Sequence, residues 1–276
     1  MRGETSQLSD RLARDHFAAS LEQLGDGSLK VGTELFELCS LLDNNPALED
    51  KLTDPSRSDD ERAGLARRIL NEAHAHPLTC EIVDDLVRRP WSQFSDIANA
   101  VEDFGIDAMM YAADARGTTK IIALELAWLR SSILNLPQVR ANLSDQTVDS
   151  SLRVKFYDTI FGNSGLHEIT DMLARHATQD LRNRRYADTL SWMIIKTGHH
   201  LRERVVSVTS AVALSEEQIA RIKRIYAAKL NHKVHVNVIV DPKVIGGLRI
   251  RSGRDVTDTT VAGQLNNLRA SFGAKA

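Results

Sequence analysis

The sequence is poor in residues that cross-link or stiffen a chain, with 2 cysteines and 6 prolines among 276 residues. Cys39 and Cys80 are far apart and stand in apolar helical stretches, which favours two small buried hydrophobes over a disulfide or a reactive thiol. No run reaches the ~18 to 20 consecutive apolar residues that a membrane helix needs. Residues 1–15 lack the apolar core of a secretory signal. These absences predict a soluble, cytoplasmic chain.

Motifs of catalysis and cofactor binding are absent as well. The sequence contains no phosphate loop of the form GxxxxGKS or GxxxxGKT, no GxGxxG, no GxSxG and no HExxH. It therefore predicts no catalytic residue, no cofactor and no metal site, and a protein that is not an enzyme. A helical enzyme whose polar groups converge only after folding is the alternative left open. Histidine pairs occur without cysteine or carboxylate at zinc-like spacing: His74 with His76, His199 with His200, and His232 with His235.

The formal net charge of −2 is unevenly distributed along the chain. Residues 205–276 carry 11 Lys/Arg against 5 Asp/Glu, whereas residues 1–204 carry 24 against 32. A length of 276 residues also exceeds the usual size of a single core. Segments of opposite net charge predict separate domains with different partners.

One pattern of apolar residues occurs twice, 91 residues apart. In the first copy, Val31 opens a run with apolar steps of 4, 3 and 4, which is one face of a helix, and Ile122 opens the second. Chance matching of helical segments is the alternative to a duplication. Further matched pairs are Glu34 and Glu125, Pro46 and Pro137, Leu52 and Leu143, Asp54 and Asp145, Arg62 and Arg153, and Ile69 and Ile160.

The matched prolines indicate how each copy is built. Proline cannot continue the helix before it, but it suits the first turn of the next one. Each copy is therefore predicted to contain a long helix, a turn marked by proline, a short helix, a polar loop and another helix. Beyond about residue 70 the register of the copies is expected to drift, although helical spacing continues. We predict two tandem helical bundles from an internal duplication, at 1–105 and 106–204.

From about residue 205 the apolar period changes from helical spacing to alternation. The predicted order β-α-β-β-β-α is that of a small α+β C-terminal domain at 205–276, so the whole chain is predicted to be mainly α. The predicted elements are a strand at 204–212, a helix at 219–230 behind a Ser215–Gln218 capping box, strands at 233–240, 248–251 and 256–258, and a terminal helix at 261–272.

The sharpest local motif is the glycine pair Gly246-Gly247, which follows Val244-Ile245 and opens a strand. Such glycines imply a positive φ angle or a close approach of backbone. One interpretation is a KH-type domain, whose GxxG loop clamps the nucleic-acid backbone, and the basic charge of 205–276 agrees with it. That loop, however, needs a glycine where Arg249 stands, and it joins two helices. An RNA-binding adaptor with a KH-like C-terminal domain is therefore the alternative function.

The stretch 210–218, SAVALSEEQ, resembles the segment that opens the C-terminal domain of the delta subunits of F-type ATP synthases. These are the bacterial counterparts of the oligomycin-sensitivity-conferring protein (OSCP). Asn45-Pro46-Ala47-Leu48 is similar to an element of the family's six-helix N-terminal bundle, and Leu136-Pro137-Gln138-Val139 is similar to it more loosely. With two such copies, this chain resembles a variant with a duplicated N-terminal helical domain. The family usually has glycine where Thr259 stands, and an acid before a base where Arg254-Asp255 is reversed. Residues that resemble the family's closing signature are Ile245, Gly246, Gly247, Arg251, Gly253, Asp258, Leu265 and Leu268.

The resemblance implies a non-catalytic stator subunit of the peripheral stalk, which links the alpha/beta head to the b-subunit stalk and couples proton-driven rotation to ATP synthesis. A helical bundle is implied to bind the N-terminal helix of the alpha subunit, since grooves between helices accept amphipathic helices. The domain at 205–276 is implied to hold the C-terminal ends of the b subunits, with the closing signature as structural motif and partner contact. No nucleic acid is implied, and the chain is implied to lie peripherally on the cytoplasmic side of the cell membrane through the complex.

Overall fold

The computed structural model describes residues 3–182, 184–201, 203–230, 233–242, 244, 246–252, 255–261, 263 and 264. In these residues helices predominate, and a four-stranded sheet follows near the C-terminal end. The predicted fold class, mainly α with a small α+β C-terminal domain, is confirmed. The chain divides into two compact units, Met1–Thr119 and Lys120–Ala276, called here the first and the second unit.

The first unit has a core formed by the apolar faces of its helices. Phe17, Leu35, Ile82 and Phe104 lie in this core, and so does Cys39, which behaves as a small hydrophobe. The elements are α1 (Glu4–Leu24), a 3-10 turn (Gly25–Gly27), α2 (Ser28–Asp43), α3 (Pro46–Thr53), α4 (Asp59–Glu72), α5 (Pro77–Arg88) and α6 (Asp96–Ala115).

The helices that follow repeat the arrangement of the first unit. They are α7 (Thr119–Leu134), α8 (Pro137–Leu143), α9 (Ser150–Phe161), α10 (Glu168–Gln179) and α11 (Tyr186–His200). Helices α2 to α5 begin at residues 28, 46, 59 and 77, and helices α7 to α10 begin 91 residues later, at 119, 137, 150 and 168. Pro46 and Pro137 both occupy the first turn of a helix, as the repeat predicted.

The predicted drift of register beyond residue 70 is wrong for α5 and α10, but it occurs in the next pair of helices, since α6 begins at Asp96 and α11 at Tyr186, 90 residues later. Helices α5 and α10 both begin and end 91 residues apart, although few of their side chains match. The reason is that a shared device sets where each helix starts, because His76 and His167 each accept the second backbone N–H of the following helix on Nδ1. Core residues can change while this cap persists. The predicted boundary at 105/106 falls inside α6, which is continuous, so the three-domain division stays a prediction.

The C-terminal elements form a mixed sheet of strand order β2-β1-β3-β4. Strand β1 pairs in parallel with β2, which requires the crossover helix α12, and antiparallel pairing joins β1 to β3 and β3 to β4. Ile222 and Tyr226 of α12 pack on Val206, Val208 and Val234 of the sheet. The elements are β1 (Glu203–Ser210), α12 (Glu216–Leu230), β2 (Lys233–Val240), β3 (Leu248–Ser252) and β4 (Asp255–Asp258).

Two details of this region bear on the sequence predictions. The capping box is present, since the Ser215 backbone N–H donates to the Gln218 side chain and the Gln218 backbone N–H donates to the Ser215 hydroxyl. Strand β1 ends at Ser210 rather than at Val212, because the Ser210 hydroxyl donates to the Val212 carbonyl in a turn. Most of the predicted terminal helix at 261–272 lies outside the described residues.

Candidate partner-binding sites

The turn before β3 is built on two left-handed glycines. Gly246 has φ 64° and Gly247 has φ 73°, a region that L side chains rarely adopt. A Cβ on Gly247 would stand 2.3 Å from the carbonyl oxygen of Thr259 and 2.9 Å from the Cα of Thr260. On Gly246, the nearest atom would be a methyl group of Val261 at 3.2 Å. Position 247 therefore needs both the conformational freedom of glycine and the absence of a side chain.

Asp258 fixes the segment that follows β4, at Thr259 and Thr260, against this turn. Its Oδ1 accepts from the Thr260 backbone N–H at 3.0 Å and from the Thr260 hydroxyl at 2.6 Å, and its Oδ2 accepts from the Arg249 Nε at 3.0 Å. These bonds, foremost that from the Thr260 hydroxyl, hold the pKa of Asp258 below its ordinary value. The carboxylate thus links β4 to β3 and holds Thr260 next to Gly247.

The structure brings only part of the predicted signature together. Gly246, Gly247 and Asp258 meet at one end of the β3–β4 hairpin. Arg251 lies farther along β3, where it lines a cavity together with residues of α7 and α11. The other four signature residues, Ile245, Gly253, Leu265 and Leu268, lie outside the described residues.

A half-buried glutamate braces each copy of the repeat. The Glu34 carboxylate on α2 accepts from the His76 backbone N–H at 2.9 Å and from the Thr79 hydroxyl at 2.5 Å. In the second copy the Glu125 carboxylate makes the same pair of bonds, to the His167 backbone N–H at 3.0 Å and to a threonine hydroxyl at 2.5 Å. A carboxylate at a helix N-terminus is favoured by the unpaired N–H groups there. The match of these glutamates in the sequence was the signal for this brace.

A buried arginine forms a second brace in each copy. The Arg62 guanidinium donates to the carbonyls of Val87 at 2.9 Å and Asp54 at 3.0 Å, and the Arg153 guanidinium donates to those of Thr178 at 2.9 Å and Asp145 at 3.2 Å. Each arginine is only 7% exposed. The sequence showed that the two arginines match but not this role, because nothing in the neighbouring residues indicates that an arginine beside a polar loop is buried.

An ion pair between neighbouring helices is kept in both copies with its charges exchanged. Arg67 on α4 contacts Asp84 on α5 at 2.6 Å. At the same displacement of 91 residues, Asp158 on α9 contacts Arg175 on α10 at 2.5 Å. A chance match of apolar spacing does not account for equivalent polar contacts at equivalent positions. The shared braces and this exchanged pair therefore favour the duplication over chance matching.

The first unit carries a groove between α1, α4 and α5 with a volume of about 480 Å³. Phe17 and Cys80 contribute apolar surface to it, and Arg67 and Asp84 contribute the ion pair described above. Burial, followed by the charge of Glu34, raises the pKa of the Cys80 thiol. Elsewhere on α1, Leu8 and Leu12 are each 48% exposed and stand one turn apart, on one face of the helix.

Comparison with known proteins places the chain among its relatives. The sequence profile of the family described as ATP synthase delta (OSCP) subunit matches residues 107–272, more than half of the chain. The chain belongs to this family. It is 47% identical to the ATP synthase subunit delta of Bifidobacterium adolescentis over 276 residues, 100% of both chains. It is 30% identical to the ATP synthase subunit delta of Streptomyces avermitilis over 265 residues, 96% of each chain.

Family membership confirms the resemblance drawn from the sequence motifs. The profile covers the second copy of the repeat and the sheet, whereas the Bifidobacterium relative is matched over its full length and therefore spans the first copy too. Among the residues that the structure describes, no helix is long and apolar enough to cross a membrane. In the same residues, no three His, Cys, Asp or Glu side chains stand close enough together to hold a metal ion.

Proposed function

We propose that this chain is a non-catalytic subunit of the peripheral stalk of an F-type ATP synthase, where it links the alpha/beta head to the b-subunit stalk and couples proton-driven rotation to ATP synthesis. The observation that carries the proposal is membership of the ATP synthase delta (OSCP) subunit family over the full length of the curated relatives. The chain would sit peripherally on the cytoplasmic side of the cell membrane, through the complex.

The braced bundles suit a part that must resist torque. Each buried arginine and each half-buried glutamate adds hydrogen bonds between helices that are otherwise joined by apolar packing. Shearing the helices would leave buried carbonyls or a carboxylate without partners, at about 1 to 3 kcal/mol for each group. Because the same braces occur in both copies, the doubled bundle would lengthen the connection without adding a compliant segment.

Two surfaces are proposed for the two partners. The groove of the first unit and the exposed apolar face of Leu8 and Leu12 suit an amphipathic helix, the form expected of the N-terminus of the alpha subunit. The basic segment 205–276, with 11 Lys/Arg against 5 Asp/Glu, suits the charge-rich C-terminal ends of the b subunits. The RNA-binding alternative gains no support, because Gly246 and Gly247 lead into β3 and do not join two helices.

Binding titrations on the full-length chain test the proposal. One ligand is a peptide from the N-terminus of the alpha subunit, and the other is a peptide from the C-terminal end of a b subunit. We expect Leu12→Asp to weaken alpha binding about tenfold or more, since it places a charge in an apolar contact. Ile121→Asp is the matched control, because Ile121 lies on α7 of the second bundle and is 47% exposed, like Leu12. We expect Gly247→Val to weaken b binding alone.

The outcomes separate the parts of the proposal. Loss of alpha binding in Ile121→Asp but not in Leu12→Asp would move the alpha site to the second bundle. Failure of the parent chain to bind either peptide would contradict the stator function.

A further inference from the structure

A cavity of about 580 Å³ lies within the second unit, where α7, α11 and β3 come together. Three guanidinium groups line it, from Arg130 on α7, Arg184 before α11 and Arg251 on β3, and we call it the triarginine cavity. Asp188 supplies one carboxylate to the wall, and Trp192 supplies apolar surface. The cationic groups of the described lining therefore outnumber the anionic one.

Arg130 and Arg251 are partly withdrawn from water at a cost. Arg130 is 7% exposed, and its Nε donates to the Ser191 hydroxyl. Burial and then the charge of Arg251 lower the pKa of Arg130 to about 10, although Asp188 opposes this, and burial and then Arg249 lower the pKa of Arg251. Among the described residues, neither Arg130 nor Arg251 is in ion-pair contact with a carboxylate. A desolvated cation of this kind is stabilised by an anion.

The fold of the bundle does not require a charge at the position of Arg130. The first copy has an apolar residue at the position of Arg130, since Cys39 stands 91 residues earlier in the matching helix α2. Cys39 is fully buried in the core of the first unit. The second copy replaces this apolar packing with charge at the place where β3 brings Arg251 alongside. The exchange therefore points to a role for Arg130 other than packing.

We propose that the triarginine cavity is a recognition site for an oxyanion, which reaches it as a side-chain carboxylate of an acidic polypeptide segment. Guanidinium forks match the two oxygens of a carboxylate. The cavity is many times the ~30 Å³ share of one water molecule, so it has room for a side chain and not only for a free ion. Trp192 and Ile195 provide apolar surface for the methylene stem of that side chain. The proposal does not depend on the stator function.

Calorimetry on the full-length chain at low salt tests the site with two probes, an alanine-based peptide carrying four glutamates and inorganic phosphate. We expect the peptide to bind the parent, and Arg251→Gln to weaken it about tenfold or more, as loss of a charged hydrogen-bond donor does. Arg249→Gln is the matched control, because Arg249 lies two residues away on β3 and contacts Asp258 instead. We expect it to change the affinity less than twofold.

The remaining outcomes distinguish the sources of the oxyanion and the role of the arginine. Phosphate that binds more weakly and competes with the peptide supports the site, whereas phosphate that binds tightly while the peptide does not would overturn the polypeptide ligand. Equal losses in Arg251→Gln and Arg249→Gln would show non-specific attraction and overturn the site.

Without ligand, we expect Arg251→Gln to keep or raise the Tm, since a like charge near Arg130 is removed. A lower Tm with unchanged affinity would mark a merely structural arginine, and Arg184→Gln repeats the test independently.

Discussion

At the scale of single residues, the C-terminal sheet depends on how closely two stretches of backbone approach each other. The Thr259 backbone N–H donates to the Leu248 carbonyl at 2.9 Å, and the Thr259 hydroxyl accepts from the Leu248 backbone N–H at 3.1 Å. This approach is the reason why position 247 has no room for a Cβ. It also explains why threonine suits position 259, where the family usually has glycine, because its hydroxyl satisfies backbone groups at the start of β3.

Replacing Gly247 by valine should destabilise the sheet. A β-branched residue at φ 73°, with its Cβ against the Thr259 carbonyl, is expected to lower the free energy of unfolding by about 1 to 3 kcal/mol. Urea unfolding measures this loss, and hydrogen exchange of the β1 and β3 amides shows whether it lies in the sheet. Gly246→Val is the control, since it shares the positive φ but meets only a side-chain methyl group. Equal losses in both variants would show that the backbone contact contributes nothing.

Asp258 should make part of the sheet's stability depend on pH. The pKa of Asp258 in the folded protein is held below its ordinary value of 3.8. Its carboxylate therefore stabilises the fold at pH values above the pKa that Asp258 has in the unfolded chain. This contribution is lost as the pH falls through the folded-state pKa. We therefore expect the difference in unfolding free energy between the parent and Asp258→Asn to be largest near neutral pH and to shrink below about pH 4. A difference that stays constant between pH 3 and pH 7 would contradict this account.

At the scale of elements, the two helical copies share their polar braces more closely than the identities of their core side chains. The glutamates and arginines at equivalent positions make equivalent bonds, while many of the apolar residues around them differ. Apolar packing tolerates exchange of one side chain for another of similar volume. A buried charge with several partners does not, because removing it leaves each partner unsatisfied.

Loss of either buried arginine should be costly for the element that it braces. Arg62→Met and Arg153→Met are each expected to lower the free energy of unfolding by about 2 to 4 kcal/mol, because several buried carbonyls lose their donors at once. Thermal and urea unfolding of the full chain measure it. Arg140→Met, at an exposed position on α8, is the control and should cost less than about 0.5 kcal/mol. Full stability in Arg62→Lys would show that the planar guanidinium is not needed.

At the scale of the whole molecule, two compact units follow from one duplicated design and one added sheet. The second unit contains both a helical bundle and the sheet, and residues of both line the triarginine cavity. The first unit has a groove and an exposed apolar face of its own. Different surfaces on different units suit a chain that joins separate partners.

The isolated chain should not hydrolyse ATP. No phosphate loop occurs in the sequence, so nothing is expected to position the γ-phosphate and a magnesium ion for attack by water. A coupled phosphate-release assay with magnesium and ATP should stay at the rate of buffer alone, and the same assay with an alpha/beta head serves as positive control. Turnover that rises in proportion to the concentration of this chain, and that survives repurification, would contradict the non-catalytic assignment.

The sequence by itself determined the local devices of the fold. Proline at the first turn of α3 and α8, the Ser215–Gln218 capping box and the change to alternating residues near 205 each act through neighbours in the chain. Their physics is complete within a few residues, so the sequence predicts them directly. The motifs at 210–218 and 245–268 likewise led to the right family, because they are short and specific.

Tertiary structure alone decided which residues meet across the fold. The carbonyls that Arg62 and Arg153 bind, the distance between position 247 and Thr259, and the approach of Arg251 to α7 and α11 all join parts of the chain that are far apart in sequence. The register of α5 and α10 was also missed, since core side chains had changed while the caps remained. Such contacts depend on the packing of whole elements, and no local pattern of side chains encodes the distance between two elements.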